Sequence, residues 1–364
     1  MCRSAASYVV GVIKYLGSKR LLAPVLAQMA VAAGARTAVD LFTGTTRVAQ
    51  EFKRRGIFVT AVDLATYSAV LAQCFVATDA DEVNPDELDQ ALALLNALPG
   101  QRGYFTRTFC EESRFFQPKN GARIDAIREA IEDEFATSAL YPVLLTSLML
   151  GADRVDSTTG LQMAYLKSWA PRAHRDLTLT APSLLAGGGA VRRGDAMTLV
   201  DELPAVDLMY LDPPYNQHRY FTNYHVWETL VRWDAPEHYG VACKRIDARE
   251  DEGRSVFNSR RTMSASFADL LRRARADLLL VSYNDESWIS SDEMVGYLRD
   301  AGHQDVRVLA FDAKRYVGAQ IGVHNAAGVK VGDVGRLRNV EYVFVAGTPD
   351  HVEAAVAYDR VAAR

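Results

Sequence analysis

The chain has 364 residues, 49% of them hydrophobic, and a formal net charge of −4. That size and apolar content suffice for one large domain with an insertion, or for two smaller lobes, and the near-balanced charge excludes a uniformly basic protein while allowing a local basic cleft. No apolar run reaches the roughly 18 to 20 residues that span a bilayer, Met1 to Val12 does not read as an export signal, and Cys2, Cys74, Cys110 and Cys243 form no Cys-x-x-Cys pair, so a cytoplasmic protein with reduced thiols and no zinc site is expected.

Along the chain, Lys14-Tyr15-Leu16-Gly17-Ser18-Lys19 precedes a helical stretch, Leu21 to Ala33, with Ser18 in N-cap position. Strands are predicted at Thr37 to Phe42 and Ile57 to Val62, with a helical run from Val48 to Arg55 between them. From about Thr78 to Ala186 the pattern turns helical, as in Pro85 to Leu98, Ala122 to Glu134 and Leu140 to Leu150, and Pro182 to Gly189, ending in three glycines, reads as a returning linker. Further strands follow at Val191 to Gly194, Val206 to Leu211, Leu278 to Tyr283, Val306 to Phe311 and Val340 to Val345. The alternation of strand and helix predicts an α/β fold with a mostly parallel sheet, built from residues 1–77 and 187–364, and an inserted helical lobe over 78–186.

The most informative motif is Asp212-Pro213-Pro214-Tyr215, set where the buried run Val206 to Leu211 stops. The lone pair of a ring-bound amino group is delocalised, so alkylating it requires acceptors for its hydrogens and a surface that holds the ring. Asp212 and the Pro213 carbonyl supply acceptors, the prolines stiffen the turn and remove donors, and Tyr215 offers a stacking face. Asp40-Leu41-Phe42-Thr43-Gly44-Thr45-Thr46 ends the first strand, where Gly44 lets backbone approach a ligand. Asp63, roughly 20 residues later at the tip of the second strand, suits a ribose diol, and the absence of Gly-x-Gly-x-x-Gly disfavours a nicotinamide cofactor. S-adenosylmethionine fits better: Asp40 would face its ammonium and Lys19 its carboxylate, with Asp195 in Gly194-Asp195-Ala196 placed for the adenine.

These residues resemble the D12 class of adenine-specific DNA methyltransferases over nearly the whole chain. Lys14 to Lys19 is similar to the family's first motif, Asp40 to Thr46 to its cofactor loop, Ala152 to Gly160 to a segment before the catalytic half, and Asp212 to Tyr220 with Asn223, Tyr224, His225 and Glu228 to its catalytic motif and following helix. Val281 to Asn284 and Asn339 to Val345 extend the likeness. The resemblance implies a class I methyltransferase sheet of seven strands, S-adenosyl-L-methionine as donor, and transfer to N6 of adenine in double-stranded DNA by base flipping. It makes Asp212, Pro213, Pro214 and Tyr215 catalytic. It places Tyr15, Gly17, Lys19, Asp40, Phe42, Thr43, Gly44, Thr45, Thr46, Asp63, Leu64, Asp195, Ala196 and Asp212 around the cofactor. Where the family loop usually carries a second glycine this chain has Thr46, a β-branched residue that restricts the backbone.

DNA contacts are expected from Arg107, Arg114, Lys119 and Arg123 of the insertion, with Tyr104, Phe105, Phe115 and Phe116 interleaved, and from His218, Arg219, Tyr220, Asn223, Arg260 and Arg261. The alternative for the insertion is a helical lobe with an aromatic core and a charged exterior. The arginines between Lys244 and Arg275 read equally as a phosphate-contacting loop and helix or as a solvated mixed-charge loop. Neither a metal nor a membrane is called for, and a cognate restriction endonuclease is a partner in the biological sense that need not bind directly. N4 of cytosine, RNA or protein-amide substrates, and a DNA-binding relative without turnover remain as alternatives.

Overall fold

The computed structural model describes residues 13–15, 19–214, 220–249, 255–314, 323–324, 330–332 and 338–357. The expected elements Gly17, Tyr215, His218 and Arg219 lie outside them. In chain order the helices are α1 (Ala23–Ala32), α2 (Arg47–Arg54), α3 (Thr66–Ala72), α4 (Pro85–Ala97), α5 (Tyr104–Thr106), α6 (Pro118–Phe135), α7 (Tyr141–Asp153), α8 (Ala196–Leu199), α9 (Tyr220–Asn223), α10 (His225–Arg232), α11 (Arg260–Arg273), α12 (Ser291–Asp300) and α13 (Pro349–Val356). Among the described residues no helix is long and apolar enough to cross a membrane.

The main sheet contains β1 (Thr37–Asp40), β2 (Phe58–Asp63), β3 (Gly189–Arg193), β4 (Val206–Leu211), β7 (Ala276–Asn284), β8 (Asp305–Lys314) and β11 (Arg338–Gly347); β5 (His238–Tyr239) pairs with β6 (Lys244–Arg245), and β9 (Val323–His324) with β10 (Lys330–Gly332). Its order is β3-β2-β1-β4-β7-β11-β8. The first five strands are mutually parallel, and β11 runs antiparallel to both of its neighbours. All seven strands coincide with the runs read from sequence, β4 with identical limits.

Continuous apolar runs make strands here because both faces of the sheet are covered. Ala38, Leu208, Tyr210 and Leu278 point to one face, under α1, α2 and α13; Val39, Met209, Leu211 and Leu279 point to the other, under α8, α11 and α12. A third cluster joins the helical insertion to α3 and α10: Phe105, Phe109, Phe115, Phe116 and Ile127 pack with Tyr67, Leu71, Tyr224 and Trp227. The aromatic residues of the insertion, read as DNA-facing or core, are therefore core at Phe105, Phe115 and Phe116. Tyr104 is half-buried and donates to the Pro236 carbonyl at 2.6 Å. Arg128 is buried as well, and its guanidinium donates to the carbonyls of Leu230 and Val231, tying α6 to α10.

Two further contacts fix the elements around the site. The Ala152 to Gly160 segment grips Lys14, whose Nζ lies 3.0 Å from Asp153 and 3.2 Å from Asp156, which anchors the neighbouring Tyr15. Gln162 holds the entry to α10: its backbone N–H donates to the Asn223 carbonyl, its side-chain oxygen accepts from Val226 N–H, and its own carbonyl meets His225 Nε2 at 3.0 Å. Burial pushes the His225 pKa down to about 3, so it is a neutral structural imidazole. Cys74, Cys110 and Cys243 are buried free thiols. Glu112, His238 and Cys243 bring one ligand atom each within 4.8 Å of one another, a grouping their spacing does not announce; within it His238 Nε2 pairs with Glu112 at 3.1 Å.

Candidate active site

A cavity opens at the carboxyl ends of the parallel strands, beside the point where the strand order reverses between β1 and β4, which is where open α/β sheets bind ligands. Residues 40–45, 47 and 48 at and after the end of β1, 63–65 at the end of β2, 194–196 after β3, and Tyr210, Asp212 and Pro214 at the end of β4 form its walls. Every described residue of the expected cofactor set lines it except Thr46. Tyr220, expected to contact DNA, lines it too, stacked on Tyr15 with ring centroids 5.4 Å apart; Tyr15 is itself stacked on Tyr224 at 4.6 Å.

The loop after β1 owes its shape to two left-handed residues. Gly44 has φ +51°, and an added Cβ would come within 3.2 Å of the Tyr15 ring, so glycine serves both the turn and the close approach. Its N–H donates to Asp63 Oδ2 at 2.8 Å, while Asp63 Oδ1 accepts from Ala65 N–H at 2.9 Å. Thr46 has φ +64°, a region that costs a β-branched residue of order 1–3 kcal/mol. The side chain turns away from the cavity, donating to the Thr45 carbonyl and accepting from Gln50 Nε2 at 2.8 Å, so it does not crowd a ligand. We expect Thr46→Gly to be nearly neutral, because relief of the backbone offsets the lost contacts, whereas Thr46→Ala keeps the strained φ and loses the contacts. The alanine variant should be the less stable of the two by about 1 kcal/mol in urea titrations; equal stability would show that the backbone there carries no strain.

Four acidic residues face the same space, in different states. Asp40 is buried, with Oδ2 accepting from the Thr43 hydroxyl at 2.9 Å and Oδ1 left without a partner. Desolvation raises its pKa to about 7 against the pull of the Thr43 hydrogen bond, with the charges of Asp212 and Asp63 adding to the rise. Burial likewise lifts Asp63 to about 6. Asp195 caps α8, accepting from Met197 N–H at 2.7 Å. Asp212 is raised to about 6 by desolvation, opposed by Lys19 and reinforced by Glu341. Its Oδ1 pairs with Lys19 Nζ at 3.1 Å, and the carboxylate lines the cavity wall with acceptor capacity to spare.

Lys19 is nearly buried and also hydrogen-bonds Glu341, so the cation expected beside the cofactor's carboxylate is at the same time the neighbour of the Asp-Pro-Pro-Tyr acid. Arg47, unassigned by sequence, lines the cavity from the start of α2 with a buried, unpartnered Nε. Ser255, Phe257 and Asn258 close another side, Phe257 meeting Phe42 edge-on at 5.3 Å. No spacing signal marks these three: they enter from a loop far along the chain, between two unrelated elements.

The residues expected on DNA divide. Arg260 and Arg261 are exposed at the start of α11, directly after Asn258 of the cavity wall. Arg107 and Lys119 are exposed with surface partners, Glu112 at 3.9 Å and Asp176 at 2.6 Å, and Arg114 lies over Trp169 at 4.7 Å while donating to the Lys167 carbonyl. Arg123 is partly buried, donating to the carbonyls of Asn96 and Leu98. Asn223 is buried with its Nδ2 unpartnered, so it presents no surface to a duplex in this form.

A parallel sheet with one reversed strand next to its edge, and an acidic cleft across its switch point, defines a class I methyltransferase. Residues 15–296 match the family model of the D12 class N6 adenine-specific DNA methyltransferases. Among curated relatives, the type II methyltransferase M.NlaIII of Neisseria lactamica is 31% identical over 72% of this chain and 77% of its own length. The type II methyltransferase M.CviAII of Paramecium bursaria Chlorella virus 1 is 28% identical over 74% and 81%. The modification methylase StsI of Streptococcus sanguinis is 28% identical over 79% of this chain, which spans only 46% of that longer protein. The chain belongs to the D12 class of N6 adenine-specific DNA methyltransferases.

Proposed function

We propose that the protein transfers a methyl group from S-adenosylmethionine to N6 of an adenine extruded from double-stranded DNA. The observation that carries this reading is the pair of carboxylates on one cavity, Asp40 and Asp212, at the tips of adjacent strands, Asp40 with an oxygen that accepts no hydrogen bond. The residues present fit the cofactor. Asp40 suits an ammonium, Arg47 and Lys19 a carboxylate, and Asp63 retains lone pairs for a ribose diol; Gly44 keeps the loop open. When bound, S-adenosylmethionine supplies an electrophilic methyl carried on a sulfonium.

The rest of the chemistry belongs to the chain. Asp212 and the Pro213 carbonyl accept the N6 hydrogens and hold the amino nitrogen in line with the methyl carbon. The carboxylate of Asp212 stabilises the positive charge that develops on nitrogen, an effect magnified where water is excluded. By likeness to the family motif, Tyr215 stacks on the extruded base, recovering part of the few kcal/mol that unstacking costs. Tyr220 and Tyr15 extend an aromatic wall from Pro214.

The helical insertion, 78–186, reads as the target-recognition part, with Arg107 and Lys119 available to DNA because exposed ion pairs exchange partners at little cost, and Arg114 held over Trp169 beside them. Arg260 and Arg261 would contact phosphates at the mouth of the cavity. The relatives named as type II and modification methylases support a cytoplasmic, site-specific enzyme that protects DNA from a cognate endonuclease. Incubation with labelled S-adenosylmethionine and separate DNA, RNA and protein acceptors tests this, followed by single-molecule sequencing of the product. We expect label in duplex DNA alone, as N6-methyladenine in one sequence context. Label in RNA or protein, or N4-methylcytosine in the DNA, contradicts it.

A further inference from the structure

We propose that Glu341 is a positioning residue for methyl transfer: it holds the Lys19 ammonium beside Asp212, so that Asp212 keeps an open acceptor for the substrate's amino group. This rests on the reading of Asp212 as the acceptor of the amino hydrogens. Glu341 lies beyond the span matched to the family model, within the Asn339 to Val345 run that extends the likeness, and nothing in the sequence assigns it a role or brings it to Lys19.

The three side chains form a nearly dry line, with Lys19 8%, Glu341 13% and Asp212 19% exposed. Lys19 Nζ hydrogen-bonds Glu341 Oε1 and forms a looser ion pair with Asp212 Oδ1 at 3.1 Å. The ammonium is thus held closer to Glu341 than to Asp212. Its charge favours the ionised carboxylate while most of the Asp212 acceptor capacity stays available to the amino group. With Glu341 neutralised, the nearest anion is Asp212. A short charge-assisted bond would form there and compete directly with the substrate's N–H.

The reversed strand makes this possible. Because β11 runs against β7, its early residues sit at the carboxyl end of the parallel strands, and Glu341 pairs with Asn284 at the end of β7. A parallel strand in the same place would bring its first residues to the opposite edge, away from Lys19.

The test is single-turnover transfer from tritiated S-adenosylmethionine to duplex DNA by the full chain and its variants. Glu341→Gln should slow the chemical step about 10- to 100-fold, the scale of a slight misplacement of reacting groups, while donor affinity changes less than about threefold. Glu341→Asp should recover part of the rate. Lys19→Met should be slow, and adding Glu341→Gln to it should slow transfer no further, since Glu341 acts through Lys19. A Glu341→Gln enzyme at the parent rate overturns the proposal. So do additive losses in the double variant, or a parallel fall in donor binding, Tm and rate that Glu341→Asp does not restore. An Asp212→Ala arm separates the two readings: activity there defeats the role of Asp212, whereas a dead Asp212→Ala beside a fully active Glu341→Gln defeats only the role of Glu341.

Discussion

Asp212→Ala is expected to lower the rate of methyl transfer by about 10³-fold or more, while S-adenosylmethionine still binds. The magnitude follows from what the carboxylate does. Removing one preorganised group that meets charge developing in a water-poor site costs roughly 10²- to 10³-fold, and here the same group also orients the nucleophile. Asp212 is the carboxylate that the end of β4 contributes to the cavity, beside Pro214. Burial raises its pKa to about 6, so single-turnover rates should fall tenfold per pH unit below that value, as the protonated acid ceases to accept the amino hydrogens. Single-turnover rates with equilibrium binding of the donor check both parts. An Asp212→Ala enzyme within tenfold of the parent contradicts the assignment.

Asp40→Asn is expected to weaken donor binding about 10- to 100-fold, the usual worth of a buried hydrogen bond to a charged group, and to abolish its pH dependence. Desolvation places the Asp40 pKa near 7 in the free protein, so the ionised form that an ammonium requires is a minority below neutrality. Donor affinity in the parent should therefore fall about tenfold per pH unit below 7 and flatten above it. The same shift fixes the sign of the effect on stability. Between the unfolded value near 4 and the folded value near 7, the folded protein keeps a proton that the unfolded chain has released, so this residue lowers stability progressively as pH rises through that window. Asp40→Asn should raise the Tm of the free protein more at pH 8 than at pH 5. Calorimetric titration and thermal melts at three pH values measure both. PH-independent donor binding by the parent enzyme would mean that Asp40 is ionised throughout, or does not face the donor.

What could be read along the chain was whatever local chemistry decides. Val206 to Leu211 is apolar on both faces because both faces of β4 are covered, and the motif that follows it lands on the cavity for the same reason. The loop from Asp40 to Thr45 was legible because Gly44 is followed, roughly 20 residues later, by an acid at the tip of the neighbouring strand, Asp63, and the two are joined by one hydrogen bond. Thr46 was legible as a departure from the expected second glycine, and its left-handed φ is the conformation glycine adopts without strain. Strand order was not legible, since nothing local says that β11 inserts between β7 and β8, and so the approach of Glu341 to Lys19 was not legible either, although its segment was. Phe257 and Asn258 were missed because a loop's approach to a distant cleft leaves no periodicity. In the insertion, the mixture of basic and aromatic residues could not separate a DNA face from a core. The rings of Phe105, Phe115 and Phe116 went inside because burying them is favourable, and Arg128 followed by satisfying carbonyls that α10 would otherwise leave unpaired.

Methyl transfer by this route requires an adenine amino group to meet Asp212 across a cavity that holds the methyl donor. A crystal structure of the protein with a non-reactive donor analogue and a duplex containing its target site tests that directly. The expected result is an extruded adenine whose N6 lies within hydrogen-bond reach of the Asp212 carboxylate, with the analogue's ammonium against Asp40. A base left stacked in the duplex in a fully engaged complex, or an analogue bound away from Asp40 with Asp212 facing protein, would contradict it.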